Sequence, residues 1–324
     1  MTVFKVMTWN LENLFSPSDP REVQEYQEKL QTLATVILNL DADVIGLQEV
    51  GGTEPLQDLL DLLGGGYPHH QLSTEPDSRG IRVGFISKLP IQDSEEIVDF
   101  LPLGLASVPG QDNRGKPLEI KRLSRGALRI TVELANGLKV DLITTHWKSK
   151  LLTFPGGGFT TSDENERAQV AGMALLRRTA EAVTIRVKAN ELLARSQRHA
   201  LVVLGDLNDV TEAATTQILQ GPSGSQIGTR GFNTSDKGDD ARLFNLAPLI
   251  PLERRFSRVF QGIGELIDHI FVSQELLPGQ PRLLPVVDSH IDLQDSLPSI
   301  TERPRERRGK LGSDHAPVTA IFDV

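Results

Sequence analysis

The sequence predicts an α/β protein in which mixed β-sheets pack against each other and helices cover their outer faces. Three observations lead to this fold class. Short apolar runs, typical of buried strands, recur along the 324 residues and end in polar clusters. Amphipathic helical stretches separate the first of these runs. Later runs come in pairs, which a purely parallel, doubly wound sheet would not contain.

Strands and helices alternate in the first hundred residues. Apolar residues at positions 30, 33, 34 and 37 follow the spacing of one helix face and predict a helix over about residues 21–40. A short helix is expected over residues 55–63, where three glycines follow it. Residues 93–123 mix strand signals with Pro, Gly and Asn, which indicates strand and loop. The predicted strands of this half are Val3–Thr8, Asp43–Val50 and Arg82–Ser87.

The second half contains paired strands and one long helix. Asn136-Gly137 lies between two apolar runs, and this dipeptide is typical of a β-hairpin turn. The long helix is expected over residues 163–195, with Ser162 or Asp163 as its N-cap. Loops are expected over residues 221–242 and 280–310. The remaining predicted elements are strands at 126–134, 138–145, 201–204, 266–272 and 318–322 and a helix near 212–219.

Composition limits the function classes. The net charge of −9 argues against a protein that coats nucleic acid tightly, but it allows an enzyme whose cleft alone is basic. The absence of cysteine excludes disulfides, thiolate metal sites and cysteine nucleophiles. We see no signal peptide and no apolar run long enough to span a membrane, so the expectation is a cytoplasmic enzyme without an obligate protein partner.

Polar clusters follow five of the predicted strands. After the run 201–204, Asp206 and Asn208 are two residues apart, so in an extended chain both side chains point to the same side. A capping turn would explain this segment alone, but five such strand ends suggest one common site. Oxygen-rich ligands without cysteine favour Mg²⁺ or Mn²⁺. The clusters are Asn10, Glu49, His146 with Lys148, Asp206 with Asn208, and Asp314 with His315, supported by Asp268.

The order of these motifs resembles the endonuclease/exonuclease/phosphatase superfamily, which includes deoxyribonuclease I. The motifs lie between residues 8 and 318, so the resemblance covers essentially the whole chain. It implies a single domain over residues 1–324 with a four-layer α/β sandwich, in which two packed mixed β-sheets are flanked by helices. The matching segments are Trp9-Asn10, Leu47-Gln48-Glu49, Thr145-His146, Gly205-Asp206-Leu207-Asn208, Ile267-Asp268 and Ser313-Asp314-His315.

The resemblance also implies roles for single residues. Glu49, with Asn10 and Asp314, would hold Mg²⁺, with Mn²⁺ or Ca²⁺ as alternatives, and the cation would bind the phosphate oxygens. Asp206 would orient and deprotonate the attacking water, and Asn208 would hold that water or the phosphate.

The histidines would act on the phosphate. His315, held by Asp268, would stabilise the transition state as an imidazolium, and His146 would donate to another phosphate oxygen. An acidic partner for His146, present in deoxyribonuclease I, has no evident counterpart in this sequence. Three further residues could add positive charge at the phosphate: Arg125, Lys148 and Arg167.

Three functions remain open. A metal-dependent nuclease is favoured, because the segment His146-Trp147-Lys148-Ser149-Lys150 resembles nuclease-like bacterial members and basic loops suit a polyanion. The alternative is a phosphatase or phosphodiesterase acting on a small or lipid substrate. A catalytically inactive scaffold is disfavoured, because every motif residue is present. The arginines at 303, 305, 307 and 308 are either a solvated loop or contacts to a phosphate backbone.

Overall fold

The structure is a computed structural model. It describes residues 3–101, 105–194, 199–221, 224, 226–233, 241–277, 286–291 (backbone only) and 312–323. The arginine run at 303–308 lies outside the described residues, as do parts of the loops expected over 221–242 and 280–310.

Six strands form the first sheet. β1 and β2 are parallel neighbours at its centre, and the other neighbouring pairs are antiparallel. In spatial order the strands are β15 (Val286–Ile291), β16 (Val318–Asp323), β1 (Val3–Leu14), β2 (Val44–Val50), β4 (Arg82–Ser87) and β3 (His69–Leu72).

The second sheet repeats this plan. Its central strands β9 and β10 are parallel, and β14 runs antiparallel to β10. In spatial order the strands are β11 (Leu243–Asn245), β14 (Asp268–Ser273), β10 (His199–Asp206), β9 (Lys139–His146), β8 (Arg122–Glu133) and β5 (Ile91–Asp99). Two small hairpins are β6 (Val108–Gln111) with β7 (Pro117–Ile120) and β12 (Arg258–Phe260) with β13 (Ile263–Glu265). The α-helices are α1 (Val23–Leu40), α2 (Thr53–Leu62), α3 (Glu164–Leu193) and α4 (Ala214–Gln220).

The alternation of side chains along the central strands produces four layers. In β10, Val202 and Leu204 enter the core between the two sheets, whereas Leu201 and Val203 belong to the core that includes α3. In β1, Val6 faces the other sheet, whereas Met7 belongs to the core that includes α1 and α2. This period of two is what a strand buried on both faces requires. The predicted four-layer sandwich with flanking helices is confirmed.

Several short strands were not predicted from the sequence. β3 has the sequence His-His-Gln-Leu and carries no apolar run, while β11, β12 and β13 are only three residues long. β15 lies inside the segment that we expected to be a loop. Such strands are specified by pairing with a neighbour rather than by their own pattern. No helix in the described part of the chain is both long and apolar enough to cross a membrane.

Candidate active site

The ends of the central strands of both sheets meet at one end of the sandwich. In the second sheet, Asp206 at the end of β10 is paired with His146 on β9 and with Asp268 on β14. In the first sheet, Asn10 pairs with Gln48, the residue before Glu49. The expected convergence of the strand ends on one region is confirmed.

These strand ends form the floor of a cavity of about 650 Å³. Two of the eleven predicted site residues do not line it: Asp268 lies behind His315, and Lys148 lines an adjoining cavity. The nine that do are Asn10, Glu49, Arg125, His146, Arg167, Asp206, Asn208, Asp314 and His315.

Asp206 lies at the centre of the polar contacts. Its Oδ2 accepts a hydrogen bond from Asn10 Nδ2 at 3.0 Å and lies 3.2 Å from His146 Nε2. Its Oδ1 accepts the backbone N–H of Asn208 at 2.8 Å. Burial would raise the pKa of this carboxyl, but the charges of His146 and His315 outweigh it and hold the pKa well below its usual range. Asp206 is therefore an ionised acceptor fixed from three sides.

The glycine before Asp206 is required by the backbone. Gly205 has a φ of +146°, and a Cβ there would lie 2.0 Å from the carbonyl oxygen of Thr145. The close approach therefore comes from the neighbouring strand. Asn208 is also left-handed, with a φ of +52°, and its Nδ2 donates to the Trp147 carbonyl at 3.1 Å. The bond from Asn208 N to Asp206 is itself an Asx-type turn, so the capping turn and the shared cavity occur together.

His315 and Asp268 form a buried pair beside Asp206. Asp268 Oδ2 lies 2.6 Å from His315 Nδ1 and also accepts the Ser257 hydroxyl at 2.6 Å. Burial would lower the pKa of His315, but the carboxylates of Asp268 and Asp314 raise it to about 10. Burial raises the pKa of Asp268 as well. We place the shared proton on the imidazole, because the hydrogen bond from Ser257 favours the charged carboxylate.

Ser257 is a site residue that sequence reasoning did not assign. It lies outside every polar cluster that follows a predicted strand, so no signal in the sequence singled it out. Its hydroxyl donates to Asp268, and its carbonyl accepts the N–H of Ala316, the residue after His315, at 2.7 Å. Ser257 therefore ties the β14 side of the site to the chain that enters β16.

Three carboxylates and one amide that line the cavity could hold a cation: Glu12, Glu49, Asp314 and Asn10. Glu49 has a φ of +62°, and its Oε2 accepts the N–H of Asn13 at 2.8 Å. Glu12, which the sequence analysis did not select, lines the cavity and accepts the N–H of Asp314 at 2.9 Å. Carboxylates and the amide of Asn10 are the donors that a hard divalent cation prefers, so these residues fit such an ion.

A second group of candidate ligands includes the histidine pair. Within the described part of the chain, Asp206, Asp268 and His315 have ligand atoms within 4.8 Å of one another. A protonated imidazole cannot bind a metal, and Asp268 is engaged by His315. This group therefore suits proton-linked chemistry better than cation binding.

The predicted basic residues occupy different places. Arg125 is buried, and its Nη1 donates to the Trp147 carbonyl at 2.8 Å. Arg167 lies at the cavity wall and pairs with Glu164. The Lys148 ammonium donates to carbonyls of its own loop. The sequence analysis did not select three other basic residues that line the main cavity: Arg79, Lys150 and Arg258.

Among the described residues, none places an acidic group on the far side of the His146 ring. Its Nδ1 is buried and makes no hydrogen bond with any residue that the structure describes. The acidic groups near it, Asp206 at 3.2 Å and Glu49 at 3.9 Å, both face its Nε2.

Three solved structures have the same fold as this chain. An endonuclease/exonuclease/phosphatase from Bacteroides vulgatus is 17% identical with a TM-score of 0.59, and the alignment covers 100% of both chains. The human Nocturnin catalytic domain with bound sulfate is 17% identical with a TM-score of 0.59, over 99% of this chain and 94% of that one. D. rerio TDP2 complexed with a single-strand DNA product is 13% identical with a TM-score of 0.56, over 100% of both chains.

Among curated protein sequences, none matches the chain with statistical significance. The family model described as Endonuclease/Exonuclease/phosphatase family, by contrast, matches residues 7–315, nearly the whole chain. Members of this family are phosphoesterases and nucleases that depend on divalent metals. The converging strand ends, the oxygen-rich floor and the imidazolium–carboxylate pair fit that chemistry. The chain belongs to the endonuclease/exonuclease/phosphatase family.

Proposed function

We propose that this protein is a metal-dependent phosphodiesterase that hydrolyses nucleic acid with water as the nucleophile. One observation carries the proposal: Asp206, which is ionised and contacted by three neighbouring groups, lies 4.0 Å from His315 Nε2 at the floor of one open cavity. A carboxylate that can accept a proton from water and a cationic hydrogen-bond donor therefore face the same part of the cavity, as hydrolysis of a phosphodiester requires.

Asp206 accepts a hydrogen bond from the attacking water and orients it. Asn10 and the Asn208 N–H hold the carboxylate in one orientation, so the water can bind to it in only one geometry. Because its pKa is held low, Asp206 takes up a proton only from water that has itself become more acidic. Asn208 lines the same cavity and contacts the water or a phosphate oxygen.

His315 and His146 face the phosphate as donors. The imidazolium of His315, kept charged by Asp268, stabilises the negative charge that grows on the phosphate oxygens. His146 presents its Nε2 to the same cavity beside Asp206.

Glu49, Asn10 and Asp314 are the proposed ligands of the divalent cation. When bound, the cation would neutralise charge on the phosphate and lower the pKa of water. Carboxylate and amide oxygens favour Mg²⁺, with Mn²⁺ or Ca²⁺ as substitutes. The Arg258 guanidinium lies 3.7 Å from Asp314 and limits the net negative charge of this group.

The rim of the cavity supports a nucleic-acid substrate. Phe159 and Phe260 line the cavity, and their side chains are 60% and 45% exposed, which leaves ring faces for bases to stack on. Arg79, Lys150 and Arg258 provide positive charge at the same cavity. The D. rerio relative of the same fold contains a single-strand DNA product, and we extend that substrate class to this chain.

A small or lipid phosphate ester is the alternative substrate. The cavity volume of about 650 Å³ lies within the range of pockets that enclose small molecules. Salt distinguishes the two substrates, because binding that depends on several phosphates weakens steeply as salt rises.

We further propose that residues 1–324 form one domain. Residues of both large sheets contribute to one shared core, including Val6 and Phe85 from the first and Leu142 and Val202 from the second. Separation of the sheets would expose this core to water, so the sheets are expected to fold as a unit.

The test is hydrolysis of supercoiled plasmid, single-stranded DNA, RNA and bis-p-nitrophenyl phosphate with Mg²⁺, Mn²⁺ or EDTA. Asp206→Asn should be inactive, whereas Asp61→Asn, the same change on the exposed face of α2, should keep wild-type activity. Cleavage of nucleic acid only with metal would support the proposal. Turnover of the small diester without cleavage of any nucleic acid would favour the alternative, and EDTA-resistant activity would contradict the metal requirement.

A further inference from the structure

A second cavity of about 540 Å³ adjoins the main one. Arg79, Arg125, Leu151 and Phe159 are among the residues that line both, so a ligand can extend from one into the other. The second cavity lies beneath α3 and contains none of the strand-end carboxylates or histidines of the candidate active site.

Positive charge dominates the wall of this second cavity. Arg79, Arg125, Lys148 and Arg177 line it, against the carboxylates of Asp77 and Asp112. Both carboxylates already accept backbone N–H groups of their own turns, which consumes part of their capacity to neutralise cations.

Three donor groups in the wall make no hydrogen bond with any described residue. The hydroxyl of Ser124 and the Nε atoms of Arg125 and Arg177 are buried and make no hydrogen bond with the residues that the structure describes. Arg125 is only 6% exposed, and its Nε lies 3.4 Å from Asp77 Oδ2 without hydrogen-bond alignment. A buried donor that makes no hydrogen bond destabilises the protein, so three of them in one cavity indicate a ligand rich in acceptors.

A buried carboxylate holds this wall in place and offsets part of its positive charge. Glu181 on α3 accepts the N–H of Ser124 and the N–H of Lys148, each at 2.6 Å, and its Oε1 lies 3.8 Å from Arg177 Nε. Burial, with the neighbouring charges of Arg125 and Arg177, lowers the pKa of the Lys148 ammonium to about 8. These cations repel one another, and an anion between them would relieve the repulsion.

We infer that the second cavity binds a second phosphate group of the substrate, adjacent to the phosphate that is hydrolysed, through Arg125, Arg177 and Ser124, while Lys148 adds positive charge. The exposed ring of Phe159 at the junction of the cavities suits the nucleoside between the two phosphates. The inference rests on the proposed function and specifies it further. The preferred substrate carries at least two phosphates on one nucleoside, as every internal nucleotide of a nucleic acid does.

Calorimetric binding in EDTA tests the inference without catalysis. Thymidine 3′,5′-bisphosphate should bind about tenfold more tightly than thymidine 5′-monophosphate, in line with one added charge-assisted contact. Arg177→Gln should remove this difference, whereas Lys139→Gln, at the far end of β9 from His146, should keep it. Equal affinities of the wild-type protein for the two nucleotides would overturn the inference, even if the variant failed to fold.

Two further results separate this inference from the proposed function. Tighter binding of the bisphosphate together with no hydrolysis of any phosphodiester would support the second-phosphate site and contradict the nuclease. Hydrolysis of DNA without a preference for the bisphosphate would do the reverse. Inorganic phosphate that bound as tightly as the bisphosphate would indicate a site for free anions and would also overturn the inference.

Discussion

Replacing Asp268 by asparagine should change the pH range in which the protein is active. Asp268 Oδ2 lies 2.6 Å from His315 Nδ1, whereas Asp206 and Asp314 lie 4.0 Å and 3.8 Å from Nε2. Asparagine has nearly the same shape as aspartate but no charge. The change therefore removes the nearest of the three carboxylates that raise the pKa of His315 to about 10.

The size of the effect follows from these distances. A pKa of about 10 against the ordinary value of 6.5 corresponds to roughly 5 kcal/mol, at about 1.4 kcal/mol for each pKa unit. Burial opposes this rise, so the three carboxylates together contribute more than the net value, and the closest of them should contribute at least about 3 kcal/mol, or about two pKa units. In the variant the loss of activity at alkaline pH should therefore begin about two pH units lower than in the wild type.

The assay is a pH profile of kcat/KM with bis-p-nitrophenyl phosphate between pH 6 and 9. Asp268→Asn should lose about tenfold more activity at pH 9 than at pH 7, besides a general loss of about 100-fold from a less well-oriented imidazole. Ser257→Ala, which removes a hydrogen bond but keeps the carboxylate, serves as the control. An unchanged alkaline limb in Asp268→Asn would refute the reasoning that Asp268 keeps His315 charged.

Four further changes can be tested together. Asp206→Asn should lower kcat by about 1,000-fold or more with a melting temperature within a few degrees of wild type, since an amide keeps the shape of the carboxylate; a large drop in melting temperature would make Asp206 structural. His315→Ala should likewise remove activity without unfolding the protein, as circular dichroism would show. Gly205→Ala should reduce the free energy of unfolding in urea by about 2–4 kcal/mol, because its Cβ would meet the Thr145 carbonyl, whereas Gly172→Ala in α3, with open space around it, should be neutral or stabilising. His269 is buried, which lowers its pKa to about 4, so its contribution to stability is fully present above pH 6.5. As the pH falls from 6.5 towards 4, the free energy of unfolding should decrease by about 1.4 kcal/mol per pH unit. Urea unfolding at pH 7 and pH 5 measures this decrease, and an equal decrease in His269→Gln would assign it to other groups.

The elements predicted best from the sequence are those with a buried face. Arg82–Ser87 matches its strand at both ends, and the long helix differs from its expected limits by at most two residues. Asp163 caps that helix by accepting the N–H of Asn165, as the sequence indicated. Such elements follow their own periodicity, because burial of one face determines which residue types can occupy each position.

Contacts between segments far apart in sequence could not be predicted. Glu181 bonds to Ser124 and Lys148 across 57 and 33 residues, and nothing in the local helical pattern distinguishes it from a solvated glutamate. Ser257 likewise acquires its role only when β14 forms beside it. The five strand-end clusters could be recognised without knowing any single contact, because the arrangement of the strands brings their ends together.

Because the site contains side chains from both sheets, its geometry depends on the complete fold. The bond from Asn10 Nδ2 to Asp206 joins β1 to β10, and the Trp9 indole donates to the His315 carbonyl at 2.8 Å. A partly unfolded protein that retained only one sheet would lack either Asp206 or Asn10. The cations of the two cavities, in a chain of net charge −9, must likewise be brought together by folding before they can attract a polyanion. Activity should therefore disappear in the same transition as the shared core, not before it.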